Sequence, residues 1–225
     1  ESPTETTRQG EKMTNQLGDF FNPDGVAIIG ASSNPAKLSH GVVKNLKEHG
    51  YRGEIYPINP KGGEILGLTV YPSVLDVPDP VDLAVIMVPA PIVPTVLEEC
   101  GQRSIQAVIV ITGGFREAGE AGERLEAELE SIIERYDMRL IGPNCVGVMD
   151  AHLPLDTTFI TDMPSPGYIS FVSHSGAICG GTTDWARDAG VGYSRIASVG
   201  PQVDVDVADG IRLMRDDTHT RLINI

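Results

Sequence analysis

The stretch Val26-Ala27-Ile28-Ile29-Gly30-Ala31-Ser32-Ser33-Asn34-Pro35 is an apolar run that stops abruptly in a loop of small residues. Four consecutive apolar residues fit a strand buried on both faces, and Gly30 lets a ligand approach the backbone where a Cβ would block it. Between Ser39 and Gly50 the apolar residues then recur at helical spacing. The stretch therefore predicts a strand, a tight turn and a helix, with an anion bound at free N–H groups of the turn and the helix.

The glycine pattern argues against an ordinary dinucleotide cofactor and hence against a nicotinamide oxidoreductase. The fingerprint G-x-G-x-x-G would need glycines at the positions of Ser32 and Pro35. No acidic residue ends the second predicted strand, where a ribose hydroxyl would be held, and Lys61 stands there instead, within Asn59–Gly63. This lysine indicates a ligand with an extra phosphate, although the same five residues are also good turn chemistry, and both interpretations stay open.

Apolar runs alternate with amphipathic helical patterns along the first 150 residues. Further strands are predicted at Gly53–Ile58, Asp82–Val88, Ala107–Ile111 and Arg139–Ile141. Each is followed by a loop rich in Gly, Pro, Ser, Thr or Asn. The alternation predicts an α/β protein with a doubly wound parallel sheet and right-handed crossovers, whose strands present their carboxyl ends to a ligand along one edge.

The α/β pattern restarts after residue 166. Strands are predicted at Tyr168–Val172, Arg195–Val199 and Leu222–Ile225, with a helix through Trp185, which we interpret as a core residue, and another over Val205–Met214. We therefore predict a flexible N-terminal extension over 1–18, a first domain over 19–150, a linker over 151–166 and a partial second α/β domain over 167–225. The second domain has a thin core.

The net charge limits the classes of partner that the protein can bind, and the cysteine content indicates the cellular compartment in which it works. A formal charge of −14 and a pI near 4.6 argue against nucleic acid or an anionic membrane as partner. Five lysines against twelve arginines and 31 acidic residues favour a halophilic protein, with an ordinary acidic cytosolic protein as the open alternative. Cys100, Cys145 and Cys179 form no metal or disulfide spacing, and no signal peptide or long apolar segment is seen. We expect a cytoplasmic protein without a bound metal.

Six motifs in register carry a resemblance that runs from about Asp19 to the C-terminus. They are Gly30-Ala31-Ser32, Asn59-Pro60-Lys61-Gly62-Gly63, Val88-Pro89-Ala90, Thr112-Gly113-Gly114-Phe115, Gly142-Pro143-Asn144-Cys145-Val146-Gly147 and Ser173-His174-Ser175-Gly176-Ala177. Their order resembles the NDP-forming acyl-CoA synthetases, which include ADP-forming acetyl-CoA synthetase and the α subunit of succinyl-CoA synthetase. The resemblance implies a Rossmann-like CoA-binding domain followed by part of a flavodoxin-like domain.

The resemblance also implies two groups of ligand-binding residues. Coenzyme A would lie over Gly30, Ala31, Ser32, Pro60, Lys61, Val88, Pro89, Ala90, Ile111 and Thr112, with its thiol towards Asn144 and Cys145. Phosphate would be held by Ser173, Ser175, Gly176 and Ala177, whose hydroxyls and N–H groups stand where a helix follows a strand. An ordinary helix N-cap by Ser173 or Ser175 is the alternative there.

The reaction implied by the resemblance is that of an acid–CoA ligase: acyl-CoA, phosphate and ADP give acid, CoA and ATP through an acyl phosphate and a phosphohistidine. In this family the residue at the position of His174 flanks the phosphate, and the phosphohistidine is expected beyond Ile225. We therefore predict no catalytic residue and no turnover in this chain alone. Mg²⁺ and ADP or ATP would bind an ATP-grasp domain or β subunit, and the full enzyme would bind a small carboxylic acid and be an oligomer.

Two other functional classes were compared with this prediction. A serine hydrolase using Ser175 would need glycines in place of Ser173 and Ala177. A non-catalytic CoA sensor, as in synthetase-like modules fused to protein acetyltransferases, would share the first domain and stays open. We interpret His40, His49, His152 and His219 as surface or capping residues. Cys145 is interpreted as a packing residue, since no basic partner for a reactive thiol is evident.

Overall fold

The computed structural model describes residues 17–225, so the predicted extension lies outside the described residues except for its last two positions. Leu17 is buried and packs with Phe20 and Phe21 in the core of the first half. In the part of the chain that the structure describes, no helix is long and apolar enough to cross a bilayer.

The first half is built on a five-stranded parallel sheet. In chain order its elements are β1 (Gly25–Ile29), α1 (Leu38–His49), β2 (Glu54–Ile58), β3 (Glu64–Ile65), β4 (Leu68–Thr69), β5 (Leu83–Ile86), α2 (Val93–Gln102), β6 (Ala107–Val110), α3 (Glu120–Tyr136) and β7 (Arg139–Ile141). The strand order is β2-β1-β5-β6-β7, and β3 and β4 form a separate small hairpin. The chain changes direction across the sheet between β1 and β5, which is where ligands of such sheets bind.

Burial on both faces explains the continuous apolar runs of these strands. Val26 and Ile28 pack into the core on one face of β1, and Ala27 and Ile29 pack into the core on the other. Successive side chains of a strand alternate between faces, so a strand covered by helices on both sides is apolar throughout. The predicted doubly wound α/β sheet is confirmed.

The second half contains its own five-stranded sheet. Its elements are β8 (Gly147–Asp150), β9 (Leu155–Asp156), β10 (Pro166–Ser173), α4 (Gly176–Ala189), β11 (Tyr193–Ser198), α5 (Val207–Arg215) and β12 (Leu222–Asn224). The order is β12-β10-β11-β8-β9, with β10 parallel to β11 and β12, and with β8 antiparallel to β11. The parallel part matches the predicted partial flavodoxin-like sheet.

The sequence prediction differs from the structure between residues 147 and 156. Residues Gly147–Asp150 were not predicted as a strand, and the predicted linker contains β9, yet both strands belong to the second sheet. Leu155 and Asp156 are buried against the first half. A strand of two residues shows no period in the sequence, so only its pairing reveals it.

The interpretation of Trp185 as a core residue is wrong, because 58% of this side chain is exposed. The buried residues of α4 are Cys179, Thr183 and Ala186, which lie on one face of the helix. Trp185 falls outside that face. The period of a short helix with many small residues leaves the orientation of a single large side chain undetermined.

The two halves contact each other along α1. The side-chain amide of Asn45 donates to the carbonyl oxygens of Thr158 (2.9 Å) and Ile160 (2.6 Å). His49 Nδ1 lies 3.1 Å from the carboxylate of Asp156, which is fully buried.

His40 is also buried, and His152 and His219 stack on each other with ring centroids 3.8 Å apart. The interpretation of these histidines as plain surface or capping residues is wrong for His40 and incomplete for the others.

Candidate functional site

A cavity of about 660 Å³ opens at the carboxyl edge of the first sheet, at the change of direction between β1 and β5. Its walls come from the loops that follow β1, β2, β5 and β6 and from the start of α1. The lining residues are Gly30, Ser32, Ala36, Lys37, Leu38, Ser39, Asn59, Met87, Val88, Pro89, Ile111, Thr112 and Gly113. Six of the predicted CoA-binding residues are among them: Gly30, Ser32, Val88, Pro89, Ile111 and Thr112.

The turn after β1 requires a glycine at its first position. Gly30 has a φ of +92°, and a Cβ there would lie 3.0 Å from the carbonyl carbon and oxygen of Met87. A side chain would be strained in this conformation and would crowd the neighbouring strand end. The glycine therefore allows the backbone of this turn to pass close to Met87, at the floor of the cavity.

The sequence predicts an anion bound at free N–H groups of this turn. In the structure, two of these N–H groups already donate hydrogen bonds within the protein. Those of Gly30 and Ala31 donate to the carbonyl oxygen of Ile58, at 2.9 and 3.1 Å. Within residues 17–225, the N–H groups of Ser32 and Ser33 donate to no protein acceptor. An anion in this cavity can therefore use the later part of the loop but not its first two residues.

The sequence left two interpretations of the loop after β2 open, a plain turn and a lysine that meets a phosphate. The structure has features of both. Asn59 donates from its side chain to the carbonyl oxygen of Ala31 (2.9 Å) and accepts from the N–H of Lys61 (3.0 Å). These bonds make the segment a hydrogen-bonded turn. They also leave Pro60 and Lys61 exposed next to the cavity lining, with the ammonium group of Lys61 in no ion pair with any described residue.

The opposite wall is held together by a side-chain hydrogen bond. The hydroxyl of Thr112 donates to the carbonyl oxygen of Val88 at 2.7 Å, so the loops that follow β5 and β6 are joined at the cavity. Ala90 begins a short 3₁₀ helix, Ala90–Ile92, and is buried behind Gly114. The two loops form a rigid apolar wall on which a flexible chain can lie.

Asn144 and Cys145, predicted near the thiol, have different surroundings. Asn144 has a φ of +51°, donates its N–H to the carbonyl oxygen of Thr112 (2.9 Å), and its Oδ1 lies 3.1 Å from where a Cβ of Gly113 would be. It therefore lies against Gly113, which lines the cavity. Cys145 is buried, with Sγ 3.4 Å from the carbonyl oxygen of Val110, and burial raises the pKa of its thiol to about 12. Its side chain packs in the core and does not line the cavity.

The predicted phosphate residues form the N-terminus of α4. Ser175 is the N-cap, with its hydroxyl accepting from the N–H of Ile178 at 3.4 Å, and the hydroxyl of Ser173 accepts from the N–H of Ser175 at 3.2 Å. The capping interpretation is therefore observed. The bond to Ile178 is long, and Ala177 is exposed at the helix start, so the site remains open to an anion.

The loop Gly142–Gly147 connects the cavity with this helix start. A Cβ on Gly176 would lie 2.4 Å from Val146 Cγ2, and the N–H of Val146 donates to the hydroxyl of Ser198 at 3.2 Å. Close packing of Val146 on Gly176 places the loop that carries Asn144 directly against the predicted phosphate loop. One loop, Gly142–Gly147, therefore contacts both predicted regions: Asn144 lies against Gly113 of the cavity lining, and Val146 packs on Gly176.

Two residues near the cavity were not predicted from the sequence. His40 Nδ1 lies 2.9 Å from the carbonyl oxygen of Ser32 and so links α1 to the loop after β1. Glu117 accepts from the N–H of Gly114 at 2.7 Å. Partial burial acts to raise the pKa of Glu117, but hydrogen bonds from the backbone of Gly114, Glu117 and Phe115 outweigh it and hold that pKa below its usual value. Neither contact has a periodic signal in the sequence.

Two known families match separate parts of the chain. A CoA binding domain family matches residues 24–151, and the succinyl-CoA ligase like flavodoxin domain family matches residues 166–225. The α subunit of the ADP-forming acetate–CoA ligase I of Pyrococcus furiosus is 45% identical over 213 residues, which cover 93% of this chain and 46% of that protein. This chain thus spans about half the length of that relative.

Solved structures give the same result. A protein of Pyrococcus horikoshii has a TM-score of 0.88 and 44% identity, covering 92% of this chain and 47% of the other. The dinucleotide forming acetyl-coenzyme A synthetase 1 of Ca. Korarchaeum cryptofilum, in complex with phosphate and ADP, has a TM-score of 0.88 and 40% identity, covering 93% and 45%. The family match over more than half of the chain, together with these relatives, shows that this chain belongs to the CoA-binding domain family in the form found in ADP-forming acyl-CoA synthetases.

Proposed function

We propose that the chain is the CoA-binding part of an ADP-forming acid–CoA ligase, which converts acyl-CoA, phosphate and ADP into acid, CoA and ATP. The contacts of the loop Gly142–Gly147 with Gly113 of the cavity lining and with Gly176 of the predicted phosphate loop support this proposal most directly. Acyl transfer from sulfur to phosphate needs both groups in reach of one carbonyl carbon, so the sites for thiol and phosphate must adjoin. The contact of Val146 with Gly176 supports such an arrangement.

The cavity fits CoA in size and in the chemistry of its walls. A cavity of about 660 Å³ is within the usual range for cofactor sites, about 300–1,000 Å³. One side of it offers the loop after β1 to phosphates, next to the loop of Asn59 that carries Lys61, and the other offers Val88, Pro89 and Ile111 to an uncharged pantetheine chain. In this arrangement Asn144 lies at the thiol end.

We assign the phosphohistidine, Mg²⁺ and the nucleotide to an ATP-grasp domain or β subunit and to chain outside these 225 residues, in a full enzyme that is an oligomer. A small carboxylic acid is the product that remains when the acyl phosphate has given up its phosphoryl group. His174 is exposed between two serines of the phosphate loop and is assigned to phosphate binding rather than to covalent catalysis. The acidic surface and three free cysteines support a cytoplasmic, salt-adapted protein.

Calorimetric titration of the chain with CoA and with NADH tests the cofactor. We expect CoA to bind in the low-micromolar to millimolar range and more tightly than NADH. Lys61→Ala should weaken CoA by about 1–3 kcal/mol if the lysine meets a phosphate. NADH binding as tight as or tighter than CoA binding would overturn the proposal.

Incubation with acetyl-CoA, labelled phosphate and ADP tests the proposal that this chain does not catalyse the reaction by itself. We expect no ATP and no acid-labile phosphoprotein from this chain alone, since it lacks the groups that carry phosphate to ADP. Acid-labile label that disappears in His174→Gln would show that this histidine is phosphorylated and that the assignment is wrong.

A further inference from the structure

The lysines of this acidic protein are concentrated in one segment of the chain. Four of its five lysines, Lys37, Lys44, Lys47 and Lys61, lie within 25 consecutive residues of a chain with a net charge of −14. The segment runs from the loop after β1 through α1 to the loop after β2, and both loops contribute residues to the lining of the CoA cavity. An excess of ammonium groups there points to a polyanionic ligand.

Two of the four lysines already have protein partners. Lys44 Nζ lies 3.6 Å from the carboxylate of Glu48, and Lys47 donates to the carbonyl oxygen of Leu66. Lys37 and Lys61 make no ion pair and no side-chain hydrogen bond with any residue between 17 and 225. Of these two residues, Lys37 lines the cavity, and Lys61 lies two positions after Asn59, which also lines it.

Lys37 lines the cavity from a fixed position. It is the N-cap residue of α1, its N–H donates to the carbonyl oxygen of Asn34 at 3.0 Å, and the first turn of α1 contains no acidic side chain. Asn34 is held in turn, because its N–H donates to the hydroxyl of Ser32 and its Oδ1 accepts from the N–H of Ala36. The lysine therefore extends from a backbone that is ordered before a ligand arrives.

We propose that Lys37 binds the diphosphate of CoA and is a second phosphate anchor, separate from Lys61. This inference rests on the proposed function of the cavity. In a doubly wound nucleotide-binding sheet the diphosphate lies at the N-terminus of the helix after the first strand, and the ribose lies at the end of the second strand. Lys37 stands at the first of these positions and Lys61 at the second, so Lys61 takes the 3′-phosphate that the ribose carries.

Three ligands separate these two roles. CoA carries the diphosphate and the 3′-phosphate, dephospho-CoA carries only the diphosphate, and pantetheine carries neither. Titration calorimetry would compare the wild-type chain with Lys37→Met, Lys61→Met and Lys44→Met. Lys44→Met is the matched control, because it makes the same charge change on the same helix at a lysine that pairs with Glu48 and does not line the CoA cavity.

We expect Lys37→Met to weaken CoA and dephospho-CoA by a similar factor, about tenfold or more, and to leave pantetheine unchanged. Lys61→Met should weaken CoA but not dephospho-CoA, and Lys44→Met should change neither by more than about twofold. Lys37→Arg, which keeps the charge, should restore most of the affinity. Thermal unfolding of each variant identifies any loss that comes from misfolding.

Two outcomes would overturn the inference while leaving the CoA site intact. Lys37→Met could bind CoA as tightly as the wild type, or it could lose affinity for CoA while keeping affinity for dephospho-CoA. Failure of the wild-type chain to bind CoA at all would instead overturn the proposed function. The three results are distinguishable in one set of titrations.

Discussion

His40 Nδ1 lies 2.9 Å from the carbonyl oxygen of Ser32, and the histidine ring is buried. A carbonyl oxygen can only accept a hydrogen bond, so Nδ1 carries the hydrogen. The bond ties the loop after β1, which lines the cavity, to the first turn of α1. The loop that would receive phosphate is therefore held in place by a side chain from inside the protein.

Replacing His40 by Phe should weaken CoA binding about three- to tenfold, because the ring volume is kept while the carbonyl oxygen of Ser32 loses its donor. His40→Asn is the control, since an amide group on a short side chain can still donate at the position of Nδ1. Calorimetry with CoA measures both variants. Wild-type affinity in His40→Phe would mean that the loop does not depend on this bond.

Gly30→Ala should destabilise the fold by about 1–3 kcal/mol and reduce CoA binding. The φ of +92° is strained for alanine, and the new Cβ would lie 3.0 Å from the carbonyl group of Met87. Gly181→Ala, within α4, is the matched control, because nothing lies within 4 Å of its Cβ and alanine favours a helix. Urea unfolding compares the two variants, and equal stability would contradict the role given to Gly30.

Asp19→Asn should stabilise the protein at pH 7.5 but not at pH 4. Burial, with Asp82 and Asp24 nearby, raises the pKa of Asp19 to about 6 in the folded chain, so its ionisation disfavours the folded state. A raised pKa contributes stability that is present below the unfolded value, near 3.8, and is lost as the pH rises through about 6. The carboxyl is half exposed, so we expect a gain of about 1 kcal/mol or less. Chemical unfolding at the two pH values measures it, and an equal gain at both would count against the pKa shift.

The pair of His49 and Asp156 should make stability decline as the pH rises. A hydrogen bond to Asp156 raises the pKa of His49 in spite of its burial, and burial raises the pKa of Asp156 in spite of its hydrogen bonds to His49 and Thr158. Both groups hold protons more tightly when the protein is folded, so this contribution is greatest at low pH and is lost as the pH rises through the raised values.

A double variant, His49→Gln with Asp156→Asn, tests the pair because it keeps hydrogen-bonding groups and removes both titrations. Unfolding free energies from pH 5.5 to 8.5 would be compared with those of the wild type. Asp19 titrates in both proteins and cancels in the difference. We expect a flatter profile in the variant, and parallel profiles would show that the pair does not titrate as described.

Salt dependence tests the halophilic prediction. With 31 acidic residues against 17 basic ones, a salt-adapted protein should gain thermal stability steadily as KCl rises from about 0.1 M into the molar range. In an ordinary acidic protein, charge screening is largely complete at much lower salt. A melting temperature that is constant above about 0.5 M would favour the ordinary acidic protein.

The order of the main strands and helices and the edge of the sheet at which the candidate cavity opens could be predicted from the sequence, because these features depend on local patterns. The run Val26–Ile29 is apolar throughout since its strand is covered on both faces, and Gly30 follows because the turn needs a positive φ. The resemblance to acyl-CoA synthetases, confirmed by the family matches, also depends only on the order of short motifs.

Contacts between distant residues were decided by the tertiary structure alone. The packing of Val146 on Gly176, the bond of Asn45 to Thr158 and the exposure of Trp185 each depend on which surfaces the two sheets present to one another. The same holds for Lys37, whose place in the lining of the cavity depends on how the loops after β1, β5 and β6 come together. Periodicity and turn chemistry act over a few residues, whereas the contacts of Val146 with Gly176 and of Asn45 with Thr158 join residues 30 and 113 positions apart, and only the folded chain brings them together.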